Sequence, residues 1–340
     1  MSYLKERPKF MFNSTNFRFG FCASLTSIIL MFSAGCMEKQ KTGAVDLYVD
    51  AVILRENNEN EKAAEKLNKS IEINNRFSLA YSLLGEIYQG MKDYDKSAVY
   101  YEKAANLNPW SFRDYFNLGR VCQLVNKFTY AIKAYSRACE LDPNHLQANV
   151  NTAVCYYEIK DYNNALAYGK KAEQIDPNVS ELQKVLGDVY ESQKDYEQAV
   201  RYYKRALEMD GNDPAIMTSL AAAYLRTNSN EPAKELLTTV IKMQPDNGTA
   251  YKYLGYCCLQ IGQADKSVEN YNKAIEINDK DWDAHRGLGV ACILKGKNQD
   301  GTVEKSMKDE AVKHWRLSLD LRPDQPNSDK LIKLIRAYSK

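Results

Sequence analysis

Small and apolar residues recur along the chain with a period of 34. The dipeptide Leu-Gly recurs at this spacing or a multiple of it, ending at Gly85, Gly119, Gly187, Gly255 and Gly289. When the count starts at Ala44, position 8 of every repeat is Ala or Gly and position 30 is apolar. Position 20 is Ala or Ser once an insertion in the last repeat is allowed for. A fixed period of this length indicates a repeat architecture, in which each repeat packs only against its neighbours.

The pattern predicts two helices in every repeat. Small residues at positions 8, 20 and 27 let two helices approach closely, and Pro or another turn residue at position 32 ends the second helix. The eighth repeat is longer because an insertion is expected near 296–308, and a capping helix is expected at 326–340. A basic helix that binds a partner or a membrane surface is an alternative interpretation of that last segment. The predicted repeats are 44–77, 78–111, 112–145, 146–179, 180–213, 214–247, 248–281 and 282–325.

Each repeat resembles the tetratricopeptide repeat, a helix–turn–helix of about 34 residues. The resemblance rests on the small residues at positions 8, 20 and 27 and extends over nearly everything after Cys36. It implies an all-α fold, a right-handed superhelical solenoid of about eight helix–turn–helix repeats with a C-terminal capping helix. In this family the first helices line a concave surface that binds peptides or partner proteins.

The family's groove-facing positions predict a partner-binding site. Arginine and aromatic side chains are the types that most often carry interface energy. In repeats six and eight the same positions are mostly apolar, as in Leu225 and Val290, with Arg286 among them. The pattern of Lys and Asn with which chaperone-binding relatives hold a C-terminal carboxylate is not met in repeats three to five. The resemblance therefore implies a groove at Arg113, Phe116, Asn117, Arg120, Asn151, Tyr157, Lys184, Asp188, Lys252 and Tyr256.

The N-terminal segment has the order of an export signal. A basic start is followed by an apolar run at 21–32, then by Ser33, Ala34, Gly35 and Cys36. This run is too short to span a membrane, which needs about 20 apolar residues. The Ala-Gly-Cys ending resembles the lipobox of bacterial lipoproteins. That resemblance implies a signal peptide at 1–35, lipidation of Cys36, a tether at 36–43, and a lipid-anchored protein of the bacterial cell envelope, at the periplasmic face of the outer membrane or at the cell surface.

Composition and residue chemistry narrow the function further. The 46 basic and 44 acidic residues give a net charge of only +2. Nucleic-acid-binding domains are usually strongly basic, so we expect no nucleic-acid partner. Six Cys follow Cys36, mostly at helix-packing positions, and are expected to be core thiols; Cys122–Cys155 is the pair to test for a disulfide. The sequence has no C-x-x-C, no Gly-rich phosphate loop and no G-x-S-x-G. We therefore expect no catalytic residues, metal site, cofactor or small-molecule substrate.

The sequence thus predicts a non-enzymatic scaffold for protein–protein interaction, a membrane-tethered lipoprotein that assists assembly or recruitment of an envelope complex. Two alternatives stay open. One is an intracellular or organellar adaptor in which the N-terminal segment is an uncleaved anchor. The other is a subunit that reads the substrate for a separate enzyme. The sequence does not name the partner.

Overall fold

The computed structural model describes residues 42–339, and within them the fold is all-α. The expected signal peptide, Cys36 and most of the tether lie outside the described residues. Helix α1 spans 42–56. It is followed by α2 Asn60–Ile73, α3 Ser78–Gly90, α4 Tyr94–Leu107, α5 Phe112–Leu124, α6 Phe128–Leu141, α7 Leu146–Glu158, α8 Tyr162–Ile175, α9 Ser180–Ser192, α10 Tyr196–Met209, α11 Pro214–Arg226, α12 Asn230–Met243, α13 Gly248–Gln260, α14 Ala264–Ile277, α15 Trp282–Lys295, α16 Lys305–Leu321 and α17 Ser328–Tyr338.

Consecutive helices pack in pairs, which confirms the predicted all-α repeat fold. The tightest packing joins α3 to α4, α9 to α10, α13 to α14 and α15 to α16. From α3 to α15, the first helix of each pair begins one full period after the previous one. The chain forms two compact units, one ending at Val125 and the other beginning at Asn126. We call them the N-terminal unit (α1–α5) and the C-terminal unit (α6–α17).

Within a pair, the two helices meet where glycine leaves room for an aromatic ring. A Cβ atom added at Gly85 would lie 2.8 Å from the ring of Tyr101, and one added at Gly187 would lie 2.6 Å from the ring of Tyr203. Both tyrosines are almost fully buried. The hydroxyl of Ser97 adds a polar link, because it donates to the carbonyl oxygen of Gly85 at 2.7 Å. Small residues therefore fix how closely the helices of a repeat pack.

The turn inside each of the first seven repeats is built on one left-handed residue. Position 15 has a φ between 57° and 65° at six non-glycine residues and of 78° at Gly262. The next residue is the N-cap of the second helix, and in three repeats it is an aspartate whose carboxylate accepts a backbone N–H: Asp93, Asp161 and Asp195. Such a cap satisfies one of the N–H groups that have no partner within the helix. The non-glycine residues at position 15 are Asn58, Lys92, Asn126, Lys160, Lys194 and Asn228.

The last repeat departs from the regular pattern. Its two helices are joined by a short hairpin with an isolated bridge between Lys297 and Val303. Residues 305–308, which the sequence placed in the insertion, belong to α16 and lengthen it to 17 residues. Helix α17 packs on this repeat through buried Leu331 and half-buried Ile335, in the cluster that contains Trp315. The C-terminal helix therefore covers the last repeat, as a cap does.

Candidate functional site

The groove of the N-terminal unit contains a cluster of arginines around one carboxylate. Arg55 and Arg113 both pair with Glu86, and the Arg113 Nη2 atom lies 2.6 Å from Glu86 Oε2. Arg120 lines the same cavity of about 510 Å³, together with Arg55 and Glu86. Arg113 and Arg120 are exposed, whereas Glu86 is largely buried. Glu56 lines the cavity as well, so three guanidinium groups lie near two carboxylates.

Two other residues of the predicted groove lie on the same helix, α5. Phe116 is half-buried and stacks on Phe112, with ring centroids 5.6 Å apart. Asn117 is half-buried as well. Asp114 faces inward instead, where its carboxylate accepts the Ser82 hydroxyl at 2.5 Å. The acidic residue of α5 is thereby withdrawn into the core, and Arg113 and Arg120 set the charge of its exposed surface.

Asn151, a predicted groove residue, is buried in the C-terminal unit. Its Nδ2 donates to the Tyr135 hydroxyl at 3.0 Å, and its Oδ1 accepts from Gln147 Nε2 at 2.8 Å. Both ends of the amide are therefore engaged within the unit. Asn151 positions Gln147 and Tyr135, and its amide faces neighbouring side chains more than open solvent.

Three predicted residues come together between α7 and α9. The Lys184 Nζ atom lies 2.8 Å from Asp188 Oδ2. Burial raises the pKa of Tyr157, and the charges of Asp188 and Lys184 also act on it. The hydroxyl of Tyr203 lies 2.7 Å from Asp188 Oδ1 and 2.7 Å from Glu191 Oε2. Lys184 and Asp188 are thus internally paired, and their net charge on the groove is small.

The hydroxyl of Tyr203 has a single hydrogen but two carboxylate neighbours. It can donate to only one of them, so the second contact is a hydrogen bond only if that carboxyl carries a proton. Burial raises the pKa of Glu191, and the like charge of Asp188 adds to the rise. The hydrogen bond from the Tyr203 hydroxyl acts against this rise. The Tyr203 hydroxyl therefore joins two acidic side chains of α9.

The last two predicted residues, Lys252 and Tyr256, line a cavity of about 520 Å³ in the C-terminal unit. Lys252 is paired with Asp281 at 2.9 Å and is largely buried. Tyr256 is 40% exposed, so its ring is available at the cavity surface. The cavity, which we call the terminal cavity, runs along α9, α11, α13 and α15 and is bounded by α17. Its lining also includes Glu191, Ala222, Leu225, Arg226, Leu259, Asp283, Arg286, Val290, Lys330, Leu331 and Leu334.

Sequence reasoning missed the part of this lining that α17 supplies. Leu334 belongs to the helix that the sequence predicts as a cap, but it is 38% exposed and lines the terminal cavity. Lys330 lies beside it. Continuing the repeat count past the insertion in the eighth repeat would have revealed this, because Lys330 and Leu334 then fall at positions 5 and 9. Those positions face the groove in the family.

The histidines and cysteines of the described residues lie at a helix cap or in packed positions. No group of three or more His, Cys, Asp or Glu between residues 42 and 339 could hold a metal ion. His145 caps α7 by accepting the Ala148 N–H, and His285 and His314 are buried against each other. The six cysteines that the structure describes are buried, and none of them is in a disulfide. No helix within the described range is long and apolar enough to cross a membrane.

A family model described as the cilia and flagella-associated protein 70 C-terminal domain, and designated a TPR (tetratricopeptide repeat) model, matches residues 34–288. The chain belongs to this tetratricopeptide repeat family. The match spans seven of the repeats in full and ends within α15, so the long α16 and α17 lie beyond it. A search of the curated proteins gives no match.

Solved structures of other tetratricopeptide proteins share the fold. One from Parabacteroides merdae is 13% identical, with a TM-score of 0.51, over 74% of this chain and 99% of that one. PilF of Pseudomonas aeruginosa is 20% identical, with a TM-score of 0.52, over 61% and 94%. The Cut9–Hcn1 hetero-tetramer of APC/C is 14% identical, with a TM-score of 0.56, over 83% and 53%. At these identities the likeness shows the fold alone. That fold, a stack of repeats with an extended binding surface, is a scaffold for protein interaction.

Proposed function

We propose that this protein is a non-enzymatic scaffold whose N-terminal unit binds a carboxylate-bearing segment of a partner protein. The observation that carries the proposal is the group of three arginines near Glu86: Arg55 and Arg113 pair with it, and Arg120 lines the same cavity. A planar guanidinium matches a carboxylate with two parallel hydrogen bonds, and such pairs are stronger than neutral hydrogen bonds. Arg55 and Arg120 line the cavity and Arg113 reaches its Glu86, so three guanidinium groups face two carboxylates, Glu86 and Glu56. This excess of positive charge favours an additional carboxylate from outside.

The partner site is tested by capture from the protein's own cells after mild cross-linking. One sample carries Arg113→Glu with Arg120→Glu. A matched control carries Lys62→Glu with Lys103→Glu, which makes the same change of charge at exposed residues of second helices. We expect a dominant partner to be lost from the first variant and kept by the control, because only the first reverses the charge of the groove. Equal capture by both variants would place the partner elsewhere.

We further propose that the scaffold is held in the bacterial cell envelope by lipidation of Cys36 and that it assists assembly or recruitment of an envelope complex. The support is the Ala-Gly-Cys sequence after a short apolar run. One acyl chain binds a membrane only marginally, whereas the several chains of a lipoprotein anchor it stably. The tether depends on Cys36 and is independent of the groove.

Fractionation of cells tests the tether. Cys36→Ala is expected to move the protein out of the membrane fraction, while the neighbouring change Ser33→Ala leaves it there. Mass spectrometry of the N-terminus gives a second measurement: an acylated Cys36 is expected as the first residue. An unprocessed N-terminus at Met1, with Cys36→Ala still membrane-bound, would instead favour an adaptor with an uncleaved anchor.

A further inference from the structure

The terminal cavity has an apolar floor and a cationic rim. Leu225, Leu259 and Val290 lie on three successive first helices, and Leu334 closes the floor from α17. Tyr256 presents an exposed ring to the same space. Its volume of about 520 Å³ falls in the range of about 300–1,000 Å³ that is usual for ligand sites. The floor therefore offers room for large apolar side chains.

The rim carries more positive than negative charge. Its cations are Arg226, Lys252, Arg286 and Lys330, and its acids are Glu191 and Asp283. Lys252 forms an ion pair with Asp281, with Nζ 2.9 Å from Oδ2, and Arg286 forms one with Asp283, with Nη2 2.5 Å from Oδ1. For Arg226 and Lys330, both exposed, the structure gives no ion pair among the described residues. Burial raises the pKa of Glu191, whose carboxyl is in contact with the Tyr203 hydroxyl.

From this arrangement we infer that the terminal cavity, completed by α17, binds a partner peptide in which a bulky apolar side chain is flanked by carboxylates. The apolar side chain would rest on the floor, and the carboxylates would face Arg226 and Lys330. The inference rests on the proposed function in one respect, since its occupant belongs to a partner protein. It assigns α17 a role in binding in addition to its role in covering the last repeat.

The charge of the cavity disfavours the chain's own segments as occupants. Residues 1–41 carry six Lys or Arg and two Glu, so that segment is basic and the rim would repel it. Helix α17 carries Lys330, Lys333 and Arg336 against Asp329. A second copy that offered this helix would likewise bring positive charge. An acidic partner meets neither obstacle.

The experiment is a selection of random twelve-residue peptides, displayed on phage, against the purified full chain. We expect the enriched peptides to share a bulky apolar residue between Asp or Glu residues. A representative enriched peptide, made synthetically with a fluorophore, is then titrated by fluorescence anisotropy. We expect its affinity to fall about tenfold or more in Leu334→Asp and in Arg226→Glu with Lys330→Glu.

Helix α17 provides the matched control. Ile332 is 37% exposed, against 38% for Leu334, but it is not part of the cavity lining. Ile332→Asp is therefore expected to change the affinity by less than about twofold, within ordinary scatter for a surface change. Circular dichroism of each variant confirms folding. Enrichment of basic peptides, no enrichment over resin, or equal binding by the Leu334→Asp and Ile332→Asp variants would overturn the inference.

A further variant separates this inference from the proposed function. Arg113→Glu with Arg120→Glu alters the groove of the N-terminal unit and is expected to leave the selected peptides bound as before. If the peptides are lost in that variant and kept in Leu334→Asp, they bind the arginine cluster. The proposed function would then stand, and the inference about the terminal cavity would fall.

Discussion

The sizes of two residues in each repeat are matched. Where position 8 is Gly, position 24 is an aromatic residue, as in Gly85 with Tyr101 and Gly289 with Trp315. Where position 8 is Ala, position 24 is Leu or Gly, as in Ala51 with Leu67. Cβ atoms added at four of these glycines would lie within 3.0 Å of the facing ring. One methyl group at position 8 therefore decides how large the side chain at position 24 can be.

Gly85→Ala is expected to destabilise the protein. The new methyl would lie 2.8 Å from Cγ and Cδ1 of the Tyr101 ring, an overlap that costs about 1–3 kcal/mol. Because Ala favours a helix more than Gly does, the substitution also stabilises α3, but by at most about 1 kcal/mol. Adding Tyr101→Leu should recover part of the loss, because the first repeat already combines Ala with Leu. Unfolding in urea measures all three variants, and strictly additive effects would contradict a size match between these two positions.

At the scale of elements, α15 and α16 are joined by a buried pair of histidines. The Nδ1 atoms of His285 and His314 lie 2.8 Å apart, and the rings stack with centroids 5.0 Å apart. The Nε2 of His285 lies 2.9 Å from the Asp279 carbonyl oxygen, to which it can only donate, so its Nδ1 accepts from His314 when both rings are neutral. Burial lowers the pKa of His314 to about 4, with the neighbouring His285 adding to the shift. The pair therefore holds the last two repeat helices together in its uncharged form.

This pair should make the protein less stable in mild acid. In the unfolded chain His314 binds a proton below its ordinary pKa of about 6.5, whereas the folded chain resists protonation until about pH 4. The folded state is therefore favoured in full above about pH 6.5. The free energy of unfolding then decreases as the pH falls from about 6.5 to about 4, by about 3 kcal/mol in total. Comparing the pH dependence of unfolding with that of His314→Asn checks this. An equally steep decline in the variant would assign the effect to other groups.

At the scale of the whole molecule, the cysteine side chains of the described residues are all buried. The six cysteines between residues 42 and 339 occur in both units, and all are buried. Burial raises the pKa of Cys257 to about 12 and that of Cys292 to about 11. Because the thiolate is the reactive form, such groups react slowly at neutral pH. The abundance of cysteine in this chain therefore need not make it sensitive to oxidants.

Thiol labelling tests this expectation. In the folded chain, reaction of these six cysteines with a water-soluble disulfide reagent at pH 8 should be limited by opening of the structure. In guanidinium chloride all six should react within the mixing time. The Cys36→Ala variant removes the one thiol outside the described range that follows the predicted signal. Rapid labelling of the folded chain would show that the cores of the repeats open readily.

The sequence predicted the helices well because each repeat is specified locally and the same rule applies eight times. Helical pairing, the small residues at positions 8 and 20, and the C-terminal helix all follow from spacing. The groove positions came from the family resemblance and stay predictions. The spacing of residues could not predict which polar side chains are partners. Three such contacts are the hydrogen bond from Asn151 to Tyr135, the ion pair of Lys252 with Asp281, and the ion pairs of Arg55 and Arg113 with Glu86. These depend on side chains 16 to 31 residues apart in sequence meeting in space.

The left-handed turn residue leaves room for engineering heat resistance. Lys92, Lys160 and Lys194 hold a φ of 62–65° that costs a residue with a side chain about 1–2 kcal/mol, whereas Gly262 adopts it freely. Replacing each lysine with glycine should gain up to about 1 kcal/mol after the added freedom of the unfolded chain is subtracted. The three turns lie in three different repeats, so their gains should nearly add. A more heat-tolerant version of the molecule is thus within reach of three substitutions, none of which touches either cavity.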